Sequence, residues 1–140
     1  MLTTATRGPS PLTYVGRKDL RRDTPRYGGH TLNMVAEFEG MLAMSRVTLR
    51  STDYTLDEYA LDEHVSSQEL YGRFRTLGIV APALIRHIAD TDQAHEFSYL
   101  FIRQDCIVSV VRRDRQTGIF VHPLSCATPW GSRYRLLTPA

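Results

Sequence analysis

The chain is 140 residues long, 42% hydrophobic and 23% charged, with a formal net charge of +2. That length suits one domain with a real core. No apolar run approaches the roughly 18 residues a membrane span needs, and MLTTATRGPSPL has no signal-peptide apolar region, so a non-membrane, cytoplasmic protein is the expectation. The small net charge hides an uneven layout. Residues 1–26 carry six basic side chains against two acidic ones, 27–96 five against eleven, and 97–140 six against two. Either the basic ends pair with the acidic middle inside one fold, or they offer a basic surface to nucleic acid or an acidic protein. Sixteen of the seventeen basic residues are arginine, a bias that GC-rich coding also produces, which weighs toward internal pairing.

Residues 1–30 are rich in Gly, Pro and Arg and lack sustained periodicity, which predicts a flexible basic N-terminal arm. Leu12, Tyr14 and Val15 are its only apolar cluster, enough for a short edge strand. Residues 31–140 are expected to form a single α+β domain. Thr31 to Met44 reads as a helix capped by Thr31 or Asn33, with Val35, Phe38 and Leu42 at helical spacing. Arg46 to Arg50 alternates polar and apolar, as a half-buried strand does. Ser51 to Asp53 is a turn, and Thr55 with Glu58 makes a capping box for a short acidic helix through His64. Ser66 with Glu69 repeats the device for a helix from Ser67 to Leu77, stopped by Gly78. A third helix starts at Pro82 and runs to about Ala89, with Leu84, Ile85 and Ile88 inward. The tight link between the last two predicts an αα-hairpin or a kinked pair.

Glu96 to Leu124 holds three apolar runs separated by Arg103-Gln104-Asp105 and by Arg112 to Gly118, the pattern of an antiparallel meander. Cys106 to Val111 is apolar at nearly every position, which predicts a central strand covered on both faces. Gly118 is available for the positive φ of the second turn. Arg133 to Leu137 is a candidate last strand. The expected fold is therefore an antiparallel meander of three to five strands packed against two or three helices.

No phosphate-binding Gly loop, paired Cys-x-x-Cys, His-Glu-x-x-His or nucleophile elbow occurs. The histidines lack metal-ligand spacing and Cys106 and Cys126 read as two reduced, buried thiols, so no metal and no cofactor is expected. The residues that could carry chemistry are Arg73, His87, His95, Glu96, Tyr99, Arg112, Arg113 and His122. Metal-free RNA cleavage needs a base for the 2′-hydroxyl, an acid for the leaving oxygen and cations for the developing charge. Each of these residues also has a plain structural reading, as a strand-end histidine or a solvated arginine.

The stretch Arg73-Phe74-Arg75-Thr76-Leu77-Gly78-Ile79, followed by a helix and the runs Tyr99–Ile102, Ile107–Val111 and Ile119–Val121, resembles the small bacterial RNase-toxin families of the barnase, colicin and RelE type. Glu69 stands where such chains often carry a histidine, and Leu77 where a second arginine is expected. The resemblance implies an RNase; the alternative reading is thus a metal-independent endoribonuclease, in which the residues at hand would be His95 or His122 as acid or base and Arg73, Arg112 or Arg113 on phosphate. The residues themselves favour a binding or regulatory protein of the kind phages and plasmids carry. It would engage nucleic acid or an acidic protein through Arg112, Arg113 and Arg115 at a hairpin tip, helped by Arg17, Lys18, Arg21 and Arg22. Tyr99 would stack on a base. The oligomeric state stays open, a homodimer included.

Overall fold

The structure, a computed structural model, describes residues 10–22, 31–45, 47–91 and 97–140. Its centre is the meander of β4 (Ser98–Arg103), β5 (Cys106–Arg113) and β6 (Gln116–Pro123), paired antiparallel in sequence. Residues 98–102 and 106–110 are buried throughout. Such runs do not alternate because both faces of these strands are covered. Two-residue turns close the hairpins, and the left-handed φ falls on Asp105 (59°) and Asp114 (49°), whose short polar side chains tolerate it. Gly118, expected to supply that φ, lies inside β6 instead. A Cβ there would come 2.6 Å from the outer edge of the Phe120 ring, so that exposed side chain lies over the glycine.

The meander is the middle of a larger, mixed sheet. Among the described residues seven strands lie in the order β1-β3-β7-β4-β5-β6-β2, with β1 at Leu12–Asp19, β2 at Thr31–Met34, β3 at Thr55–Leu61 and β7 at Tyr134–Pro139. The α+β class holds, while the expected purely antiparallel meander of three to five strands is replaced by this mixed sheet. Two pairs are parallel, β2 with β6 and β4 with β7.

The expected helices at Thr31 and at Thr55 change here because pairing in space outweighs local pattern. Residues 12–19 form an edge strand on β3, longer than the short one expected around Leu12, Tyr14 and Val15; residues 1–9 and 23–30 of the expected arm lie outside the described residues. The register slips between Tyr14 and Gly16, leaving Val15 as a bulge. Thr31 to Met44 divides into β2 and a shorter helix, α1 (Ala36–Met44). The Thr31 N–H donates to the Arg115 carbonyl at 2.9 Å and the Val35 N–H to that of Ile119 at 3.1 Å, so these residues extend the sheet before the helix begins. The acidic helix expected from Thr55 is β3. The Thr55 hydroxyl donates to the Asp19 carboxylate at 3.0 Å across the strand pair instead of capping a turn. Residues 47–50, expected as a strand, have no regular structure, and Arg46 lies outside the described residues.

The remaining helices follow their sequence signals. Ser66 Oγ accepts the Glu69 N–H at 3.1 Å and opens α2 (Ser67–Phe74), which tightens into a 3-10 turn, Arg75–Leu77. Gly78 ends it at φ 111°. Pro82 opens α3 (Pro82–Thr91). The two helices do not form a hairpin, however. Leu70 of α2 packs on one face of the sheet with Leu100, Ile102, Ile107 and Leu136. Ile85 and Ile88 of α3, with Phe38 of α1, pack on the other face against Tyr99, Phe101, Val108 and Val110. The Gly78 link passes from face to face by lying on Pro139 of β7, where a Cβ on Gly78 would come 3.1 Å from the proline ring. Each fully buried Leu, Ile or Phe in these layers contributes about 1.5–3 kcal/mol, so helices this short are held mainly by the sheet.

Candidate functional site

The strand registers separate the arginines that sequence grouped together. Lys18 pairs with Leu56, Leu56 with Pro139, and Arg103 with Cys106, which marks one end of the sheet. Leu12 pairs with Leu61, and Arg112 with Thr117, at the opposite end. Arg17 and Lys18 therefore lie at one end, and Arg113 and Arg115 at the other, with three strands between β1 and β5. They do not make one basic face.

Among the meander-tip arginines, Arg113 and Arg115 are exposed, whereas Arg112 is half-buried and turned to α3. Its Nη2 donates to the carbonyls of Ile88 (2.7 Å) and Ala89 (3.2 Å), at the C-terminal end of α3. A cation on the last carbonyls of a helix also suits the helix dipole. Tyr99 is completely buried, with Lys18 Nζ 5.4 Å from its ring centroid, so it is not a stacking platform. Arg21 gives its backbone carbonyl to His87 Nε2 at 2.8 Å, and the Arg22 guanidinium stands 5.8 Å from the Tyr54 ring. Arg73 is exposed on α2, 5.4 Å from the Phe74 ring.

The candidate acid–base pair does not assemble among the described residues. His95 and Glu96 lie outside them. His122 Nε2 is 2.8 Å from the hydroxyl of Ser109, a residue with no exposed surface, and its ring meets Trp130 edge-on at 4.8 Å. Burial pushes the His122 imidazole below its ordinary pKa. Trp130 in turn donates from Nε1 to Ser67 Oγ at 2.9 Å. Arg113 lies opposite Gln116, six positions before His122 on β6. At roughly 3.4 Å per residue the two are about 20 Å apart along the strands, too far for one scissile phosphate.

What the sheet end at Arg103 carries instead is a groove of about 780 Å³. Leu56 and Pro139 form part of its lining from the sheet, and Val80, Pro82 and Leu84 contribute from the entry to α3. The opposite wall comes from the end of α1 and the segment after it. The Ser45 N–H bonds to the Met41 and Leu42 carbonyls, α1 stops, and Val47 and Leu49 run on without strand partners along the cleft. Three large apolar side chains of the lining are open to water: Met44 (85% exposed), Val47 (62%) and Ile79 (42%). Apolar residues gathered in this way mark interaction sites more often than isolated ones do.

One cation stands in that apolar setting. Arg103 Nη1 donates to the Val80 carbonyl at 2.8 Å, while its buried Nε meets no acceptor among the described residues. Burial lowers the guanidinium pKa and raises that of the neighbouring Cys106 thiol. Asp53, the groove's carboxylate, accepts the Arg50 backbone N–H at 2.7 Å. Sequence reasoning passed over Arg103, Met44, Val47 and Ile79. A usable signal was α1 itself: Met44 lies outside the stripe of Phe38, Met41 and Leu42 that packs on the core.

Among the described residues no group of three His, Cys, Asp or Glu side chains could hold a metal ion, and no helix is long and apolar enough to cross a membrane. Set beside known protein families, curated proteins and solved structures, the chain matches none of them.

Proposed function

We propose that this chain is a protein-binding module whose groove takes an apolar segment of a partner protein. The observation that carries the reading is the gathering of Met44, Val47 and Ile79, all open to water, around one cleft. A small ligand inside the cleft would leave those rim side chains wet, whereas a peptide segment covers both cleft and rim. Methionines suit such a surface because their unbranched side chains adapt to the partner. A protein partner is kept from the sequence reading, but the contact moves from the basic hairpin tip to the groove and from an acidic face to an apolar segment.

Nucleic-acid binding through Arg113 and Arg115 is the second reading, supported by their exposure at the β5–β6 tip. A ribonuclease reading has less to draw on, since Arg113 and His122 stand far apart. Peptides selected from a displayed random library against the full chain discriminate between the two. The groove reading expects their affinity to drop at least about tenfold on Met44→Asp and to survive Arg113→Ala/Arg115→Ala, because charging a desolvated hot spot costs more than about 1.4 kcal/mol. Peptides indifferent to Met44→Asp would sink it. Single-stranded RNA binding that weakens steeply with salt and is lost in the double arginine variant would put the tip in its place.

A further inference from the structure

We infer that the groove selects its partner by a carboxylate seated on Arg103, so that the occupant is an apolar stretch of polypeptide interrupted by one Asp or Glu. This rests on the groove reading given above and adds the chemistry of the partner.

The argument begins with charge. A guanidinium drawn partly out of water is costly unless it is paired, and Arg103 has no carboxylate partner among the described residues. Asp53, the acidic side chain of the same cleft, accepts the Arg50 N–H at 2.7 Å and forms no ion pair with Arg103 among the described residues. The hydrogen bonds of Arg103 are likewise incomplete. Nη1 is used on the Val80 carbonyl at 2.8 Å, and Nε lacks an acceptor. Nε is buried, so the reachable donors are Nη2 and the second hydrogen of Nη1, the end of the planar fork, and that end matches the two oxygens of a carboxylate.

Position adds to this. Val80 precedes Pro82, the first residue of α3, so Arg103 stands near the positive end of that helix, where a cation does nothing for the dipole. Arg112 occupies the other end, on the carbonyls, where a cation is stabilising. Arg103 forms no ion pair among the described residues, so an acidic group from outside complements it. A single cation among apolar walls fits one carboxylate better than a dianionic phosphate, and the wet rim of Met44 and Val47 calls for a polypeptide around it.

Peptides of about twelve residues, selected by display on the full chain, serve as probes. Each acidic residue is replaced in turn by its amide, and dissociation constants are measured calorimetrically on the wild type and on Arg103→Gln. One Glu→Gln or Asp→Asn replacement is expected to weaken binding about tenfold on the wild type and less than about twofold on Arg103→Gln, the signature of a direct charge pair. Arg103→Lys retains charge without the fork and falls between the two. If Arg103→Gln does not fold, judged by its melting curve, the peptide series on the wild type and on Arg103→Lys decides. Groove-bound peptides that tolerate every amide replacement within twofold overturn the carboxylate anchor and leave the groove standing. Peptides that ignore Met44→Asp overturn the groove reading itself.

Discussion

The two ends of α3 each meet an arginine from the same face of the sheet, and they meet it differently. At the C-terminal end Arg112 closes the helix, with Nη2 on two carbonyls and Nη1 3.4 Å from the Thr117 hydroxyl. At the start Arg103 makes one bond to Val80 and stands over an apolar cleft. The same residue type has a structural role at one end and stays available at the other. The opposite face of the sheet resembles the closed end: Ser109, His122, Trp130 and Ser67 are joined by short polar bonds and a ring contact. Polar groups that find their partners inside the fold hold it together; a cation and three large apolar side chains left without cover point outward.

The sharpest way to break the comparison is to remove each arginine. Arg112→Ala should cost about 2–3 kcal/mol, because charge-assisted bonds to the last carbonyls of α3 disappear and leave those acceptors poorly satisfied. Urea unfolding measures it, and a loss under about 0.5 kcal/mol, the range of an ordinary surface change, would mean the closed end is not closed by Arg112. Arg103→Ala should cost about 1 kcal/mol or less, since one hydrogen bond is lost while a desolvated charge is relieved. Equal losses at the two sites would erase the distinction and make Arg103 a structural residue.

A third effect is a slope with pH. Burial holds the folded pKa of His122 below its ordinary value, so the unfolded chain takes up the proton first. Stability is then complete above about pH 7, declines as pH falls through the unfolded value of about 6.5, and levels off below the folded value. His122→Gln should flatten that part of the profile while keeping a hydrogen-bonding group near Ser109. A variant that loses stability in parallel with the wild type between pH 7 and pH 5 would assign the slope to another group. The smallest expected effect is on the open rim. Met44→Asp should change stability by no more than about 0.5 kcal/mol, because 85% of Met44 is already in water. A larger loss would show that the rim is part of the core.

Much of the fold was legible where the signal is local. Ser66 and Glu69 cap α2 as their spacing predicts, Gly78 stops it, and Pro82 starts α3. The three apolar runs of the meander became β4, β5 and β6 because strands joined by two-residue turns need no distant information. β3 was not legible. Thr55-x-x-Glu58 satisfies a capping rule as well as a strand does, and the choice is made by β1 and β7, which lie far away in the chain and pair on either side of it. β2 shares that fate, decided by β6. The candidate site was hidden in the same way. Arg103 and Arg112 both stand where an apolar run gives way to a polar turn, and nothing nearby in sequence says which of them α3 will cover with its carbonyls.

One consequence follows from the place of β7. It comes last among the strands in chain order but third across the sheet, between β3 and β4. Without Tyr134–Pro139 the sheet is two fragments, β1 with β3 and β4-β5-β6 with β2, each presenting a bare hydrogen-bonding edge. The strand works as a keystone, and its contacts reach back to residues 56–60 as well as to 98–100, so folding waits for long-range closure. A chain stopped before Ser132 should aggregate or stay open, and a separate peptide spanning 130–140 should restore it, as followed by circular dichroism on mixing. Two inert pieces that become one fold on contact would turn this protein into a split reporter of proximity.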